Sequence, residues 1–166
     1  MNCVTCGGEM IEYKATDQSP YLYTMSGLKN VYLAGISSYE CNDCTEKYPV
    51  IPMIGELHRV ISRMLIEKNG PLVGEEIRFL RKNVGFSGTQ FAALIEVRPE
   101  TLSRAENGHT TLSATVDKMV RAIAEAASDG EQVRDLLLNK IQKERVSSRK
   151  TFKIQGDRWL QLELVA

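Results

Sequence analysis

Gly85-Phe86-Ser87-Gly88-Thr89-Gln90-Phe91-Ala92-Ala93-Leu94-Ile95-Glu96-Val97-Arg98-Pro99-Glu100-Thr101-Leu102-Ser103-Arg104-Ala105-Glu106-Asn107-Gly108 decides the fold, because it holds two short helical patterns and their stop signals in 24 residues. Ser87 can accept a backbone N–H as N-cap of a helix that turns Phe91, Ala92 and Ile95 inward. Glu96-Val97 supplies a turn, Pro99 suits the first position of the next helix, and Asn107-Gly108 ends it. Upstream, Glu76 to Lys82 carries Ile77, Leu80 and Arg81 in a helix closed by Val84-Gly85. Downstream, Ser113 caps a run in which Val116, Met119, Val120 and Ile123 repeat at three and four. Two short helices joined by a tight turn, the second presenting small and hydrogen-bonding side chains outward, are what a reader of the DNA major groove needs.

Toward the N-terminus, the chain's four cysteines form two pairs, Cys3-x-x-Cys6 and Cys41-x-x-Cys44. A Cys-x-x-Cys turn aims two thiolates at one point, and two such turns complete a tetrahedral zinc shell, whereas a structural disulfide is disfavoured in a reducing compartment. Cys3, Cys6, Cys41 and Cys44 are therefore expected to hold one structural Zn2+. The competing reading, a redox dithiol, normally uses one Cys-x-x-Cys at a helix N-terminus and not two facing pairs. Between the pairs, Ile11 to Thr16 and Asn30 to Leu33 alternate like strands, with turns at Ser19-Pro20 and Ser26-Gly27, the pattern of a zinc ribbon. So small a sheet buries little apolar surface, and metal binding would contribute much of its folding free energy.

After Tyr48-Pro49-Val50-Ile51-Pro52, Glu56 to Lys68 places Leu57, Val60, Ile61, Met64 and Leu65 at helical spacing, stopped by Asn69-Gly70-Pro71. It reads as a connecting helix, with His58 solvated because four cysteines already fill a zinc shell. Past the helix-turn-helix, Val133, Leu136, Leu137, Ile141 and Val146 stripe another helix, and Thr151 to Val165 reads as two strands around Gly156-Asp157. A three-residue loop Gly156-Asp157-Arg158 would group Phe152, Ile154, Leu160, Leu162 and Leu164 on one face, and is preferred to a two-residue turn that faces Ile154 with Trp159. The expected class is α+β: a small antiparallel zinc-ribbon sheet over 1–55, a connecting helix and linker over 56–73, an all-α helix-turn-helix domain over 74–130, and a C-terminal helix and β-hairpin over 131–166. The helical half has its own apolar stripe and is expected to stay folded without the ribbon.

Composition narrows the function. With 43% apolar and 25% charged residues, general disorder is excluded. No apolar run approaches the roughly 18 residues of a membrane span, and the opening residues lack the pattern of a secretion signal, so a soluble, cytoplasmic protein is expected. Twenty-one basic side chains balance 21 acidic ones, so a polyanionic partner must meet a local patch. Lys140, Lys143, Arg145, Arg149, Lys150 and Lys153 form one, opposed only by Glu144; phosphate contact and a solvated surface are both open for it. Catalysis finds no support. There is no Gly-x-Ser-x-Gly, no phosphate-cradling Gly-x4-Gly-Lys-Ser/Thr and no His-Glu-x-x-His, Ser147-x-x-Lys150 lacks partner motifs, and His58 and His109 are the only histidines.

Gly85 to Gly108 resembles the Cro/repressor-type helix-turn-helix, with Ala92 at the close-contact position of its second helix, Val97 at the turn and Leu102 at the buried position of the recognition helix. Ribbon and helices together, with Cys6-Gly7, Pro20-Tyr21, Gly27, Lys29, Val31, Leu33, Gly35-Ile36, Tyr39 and Cys41 in place, are similar to the MqsA antitoxins, also called YgiT-type zinc-finger/helix-turn-helix proteins, over about residues 1–127. The resemblance implies a structural zinc domain that contacts a ribonuclease toxin protein, and a helix-turn-helix that forms a homodimer on double-stranded DNA and represses the operon. The candidate DNA contacts are Ser87, Arg98, Glu100, Thr101, Ser103 and Arg104, with Arg149 and Lys150 from the basic stretch. Arg104 matches the family's base-reading arginine, while Glu100 stands where an asparagine reads a base; a carboxylate can accept from cytosine N4, and Arg can bond guanine O6 and N7. Gly88 replaces a phosphate-bonding glutamine, and Glu96 replaces the usual turn glycine, at a cost if the site demands positive φ. A stand-alone regulator, whose ribbon binds another protein or senses metal or redox state, is the alternative; a dithiol enzyme is the least supported class.

Overall fold

The computed structural model describes residues 2–128, 130, 133, 135 and 137, and the strands at 151–155 and 158–162. Its ribbon contains β1 (Met10–Lys14), β2 (Tyr21–Leu22), β3 (Tyr32–Leu33), β4 (Ser37–Cys41) and β5 (Lys47–Val50). β1, β4 and β5 form an antiparallel sheet in that order, and β2 pairs with β3 separately. The register Met10↔Cys41 sets the start of the first strand against the second cysteine pair. Pro49, which cannot donate to a ladder, sits on the edge strand opposite Ser38. This sheet has only a satellite core, Cys3, Met10 and Cys41 with Tyr39, Cys44 and Tyr48 packed against them.

Five helices follow: α1 (Ile54–Glu67), α2 (Gly74–Asn83), α3 (Gly88–Leu94), α4 (Pro99–Glu106) and α5 (Ala114–Ser128). Their apolar positions converge in the main core, where Leu80, Phe91, Ala92, Ile95, Leu102, Val120 and Ala124 are at most 1% exposed. Burying each of the larger of these side chains stabilises by about 1.5–3 kcal/mol. α1 adds Ile61 and Leu65 to the same cluster. Its C-terminal carbonyls are held by Arg121 of α5, which donates to Leu65, Ile66 and Lys68 at 2.7–3.1 Å and to Gly70 at 2.7 Å. Asp117 accepts from that guanidinium at 2.8 Å and from the Leu72 amide at 2.7 Å, so the segment joining α1 to α2 is stitched to α5.

Ribbon and helices share a core. Leu28, in the loop between β2 and β3, is 3% exposed among the helical apolar residues, and Val31 packs beside it. The Lys29 amide donates to Glu75 Oε1 at 3.1 Å. The helical half, expected to stay folded from its own stripe, thus also takes apolar contacts from the ribbon loop. Nor is His58 solvated: it is half-buried, with Nε2 2.9 Å from the Tyr23 hydroxyl and its ring edge-on to Phe79 at 5.5 Å.

Helix ends follow the local signals. Three of them close with the paired backbone bonds of a Schellman motif: Phe86 to Arg81 with Gly85 to Lys82, Val97 to Ala92 with Glu96 to Ala93, and His109 to Arg104 with Gly108 to Ala105. That motif puts one residue in the left-handed region. Gly85 and Gly108 meet the need at φ 75° and 76°, and Glu96 meets it at φ 55° without glycine's freedom. Between residues 131 and 150 only 133, 135 and 137 are described; all three are helical, and Leu137 packs on the core. Lys140, Lys143, Arg145, Arg149 and Lys150 lie outside the described residues.

β6 (Thr151–Gln155) and β7 (Arg158–Leu162) pair antiparallel, with Gln155 opposite Arg158 and Ile154 opposite Trp159. Two residues therefore connect the pair, correcting the three-residue loop expected from apolar grouping. Two-residue loops match the right-handed twist of the flanking strands and accept Gly-x, which outweighs the grouping. Among the described residues, no helix is long and apolar enough to cross a membrane.

Candidate metal centre and nucleic-acid interface

The two cysteine turns meet as their spacing predicts. All four Sγ atoms lie within 4.8 Å of one another, with Cys6 to Cys41 at 3.4 Å, Cys6 to Cys44 at 3.5 Å and Cys3 to Cys44 at 3.7 Å. Metal–sulfur bonds of about 2.3 Å on a tetrahedron separate the sulfurs by about 3.8 Å, so the cluster has the size of a closed metal shell. The first turn is tightened by Gly7 N–H to Cys3 O at 2.8 Å, with Gly7 at φ 78°, and the Asp43 amide donates to Cys41 Sγ at 3.4 Å. Backbone donors at Cys6 and Thr5 pull the Cys3 thiol down to about 7. At Cys44 the Glu46 amide also pulls downward, but burial and the three neighbouring sulfurs push its thiol up to about 12. Four thiolates repel one another at this spacing, and a bound cation reverses that preference. The cluster is compatible with a structural metal that closes the fold around it.

The helix-turn-helix is rigid from within. Ser87 accepts from the Gln90 amide at 3.2 Å while Gln90 Oε1 accepts from the Ser87 amide at 2.9 Å, so α3 starts on a capping box. That is an N-cap duty for Ser87, which also remains exposed. Pro99 occupies the first turn of α4, and Leu102 and Ala105 are 1% exposed. Arg98, Glu100, Thr101, Ser103 and Arg104 are all exposed, on α4 or its N-cap.

Sequence reading missed what holds α4. Glu106 is 8% exposed, and its carboxylate accepts from Arg81 Nε at 2.6 Å and Nη2 at 2.9 Å, with Arg78 Nε at 3.4 Å. Arg78 also donates to Asn107 Oδ1 at 2.6 Å. The hydrogen bond from Arg81 to Glu106 raises the arginine's pKa further. A signal existed: Glu106 stands four residues after Leu102 and so falls on the inward stripe. Gly74, by contrast, carried no such signal. A Cβ there would meet the Ala105 carbonyl oxygen at 2.3 Å, so the close approach of α2 to the end of α4 needs glycine.

No curated protein matches the chain. Residues 77–126, from within α2 to within α5, match the helix-turn-helix family model HTH_3. Beside a four-cysteine cluster compatible with a structural metal, the chain thus carries a Cro/C1-type helix-turn-helix domain, the DNA-binding module of transcription regulators.

Proposed function

We propose that the chain is a sequence-specific transcriptional repressor acting as the antitoxin of a toxin–antitoxin pair in the cytoplasm. In this reading a homodimer grips a palindromic operator, and the ribbon, about residues 1–55, carries one Zn2+ and contacts the toxin. The observation that carries the DNA half is the exposed set Arg98, Glu100, Thr101, Ser103 and Arg104 on a recognition helix whose other side is locked by Leu102, Ala105 and Glu106. Arg104 is assigned to a guanine edge and Glu100 to cytosine N4, with Arg98, Thr101, Ser103 and Ser87 positioning the backbone. Arg149 and Lys150 add non-specific phosphate contacts. Four sulfur donors suit Zn2+ among the divalent ions available to a cell. The antitoxin half rests on the resemblance of residues 1–127 and on a ribbon that keeps Val4, Ile11, Leu22, Met25 and Tyr32 exposed, as a protein-binding surface does.

The test is threefold. The purified chain should prefer its own promoter region to a scrambled duplex; equal affinity for both removes the repressor. Elemental analysis should find one zinc per chain, and much less in protein never exposed to chelator removes the metal assignment. A tagged chain purified from its native cell should bring down a small ribonuclease; its absence, with promoter binding intact, leaves the stand-alone regulator.

A further inference from the structure

We propose that α1 is the seam along which two copies of this chain pair, antiparallel and two-fold. The inference deepens the homodimer of the proposed function by giving it a surface. On α1 and its N-cap, Met53, Leu57, Val60 and Met64 recur at four, three and four, the 3.5-residue period of a helix–helix seam. Leu57 is half-buried against its own core, whereas Met53 is 72%, Val60 63% and Met64 54% exposed. Val60, Arg63 and Met64 also border a shallow apolar depression.

The flanking charges choose the occupant. In a two-fold antiparallel pairing, Leu57 layers against Val60 of the second copy and Met53 against Met64. The same register places Glu56 opposite Arg63 of the second copy, and symmetry makes that contact twice. Both side chains are exposed and take part in no ion pair among the described residues. A parallel pairing gives these charges no opposite partner, because Glu56 would meet the buried, apolar Ile61 and Arg63 would meet the like-charged Lys68. α1 packs on α2 and α5, so a copy docked on its free side leaves α3 and α4 open to DNA. One helix per copy buries less than the roughly 800 Å2 per partner of a standard interface, so the pairing is weak in solution and tightens when a palindrome holds two chains together.

Sedimentation of the full chain tests this with Arg63→Glu, Glu56→Arg and their equimolar mixture. Wild type should show a concentration-dependent monomer–dimer equilibrium. Each variant alone should pair about tenfold more weakly, since two attractions become two repulsions. The mixture should recover wild-type affinity, because each variant meets the opposite charge of the other at both contacts. A monomeric wild type, single variants that pair as tightly as wild type, or a mixture no tighter than its components overturns the proposal. Val60→Asp supplies a charge-independent check: it should abolish pairing while the far-UV spectrum stays native, and undiminished pairing also overturns the seam. Half-site preference, read separately through Arg104, keeps the two ideas apart. Variants that still discriminate half-sites leave the repressor standing if the seam fails, and loss of discrimination in wild type defeats the repressor alone.

Discussion

Leu28→Ala is the sharpest test of how the two halves are joined. Leu28 belongs to the ribbon loop, nearly 50 residues before the matched helix-turn-helix segment, yet it is 3% exposed in the helical core. The change removes three carbons. At about 0.8 kcal/mol per buried carbon the transfer loss is roughly 2.4 kcal/mol, and a residual cavity would add to it. The site is on a loop that can partly collapse, so a loss of about 2–3 kcal/mol is expected, lowering the melting temperature by about 5–10 °C for a unit of this size. The assay is urea unfolding followed by the far-UV helical signal, with metal content measured on the same samples. Two independently folding halves would leave the helical midpoint untouched. A helical loss below about 0.5 kcal/mol, in protein that retains its metal, would refute the shared core. Cys41→Ser carries the same logic from the other side: losing a ligand should loosen the ribbon and lower the helical midpoint with it, where an autonomous helical half would hold steady.

Other outcomes follow from single features. Glu96→Gly should raise stability by about 0.5–1 kcal/mol, because residue 96 sits at φ 55° and glycine removes the left-handed strain; an unchanged urea midpoint would mean the strain is negligible. Glu106→Gln should cost about 2–3 kcal/mol by leaving the mostly buried Arg81 without its carboxylate, and a loss near zero in the same titration would make the pair incidental. Arg104→Ala should cost about 1–3 kcal/mol of operator binding and relax discrimination at one base pair, whereas an equal loss on every sequence would make Arg104 a phosphate contact. Neutralising Arg149 and Lys150 together should lower the slope of log affinity against log salt by about 2 in magnitude, and an unchanged slope in folded protein would mark that charge run as solvated surface.

What could be read along the chain was whatever depends on near neighbours. The N-cap at Ser87, the proline opening α4, the glycines ending α2 and α4, and the turns that aim each cysteine pair are set by spacings of two to four residues. A helix end or a metal knuckle asks for no more. The meeting of the two cysteine pairs was legible as well, because a half-filled thiolate shell has one plausible complement in this sequence. The conformation demanded of Glu96 was posed by sequence as a condition, and backbone hydrogen bonding answered it. Tertiary structure decided whatever depends on surfaces meeting at long range: Leu28 in the helical core, the Tyr23–His58 contact, Arg121 on the carbonyls ending α1, Glu106 under Arg81, and the closeness that forces glycine at residue 74. Periodicity places Glu106 on the inward face of α4 but does not say what will cover it, and a loop leucine has no pattern of its own. Such groups acquire their role only when packing removes water and makes a partner obligatory.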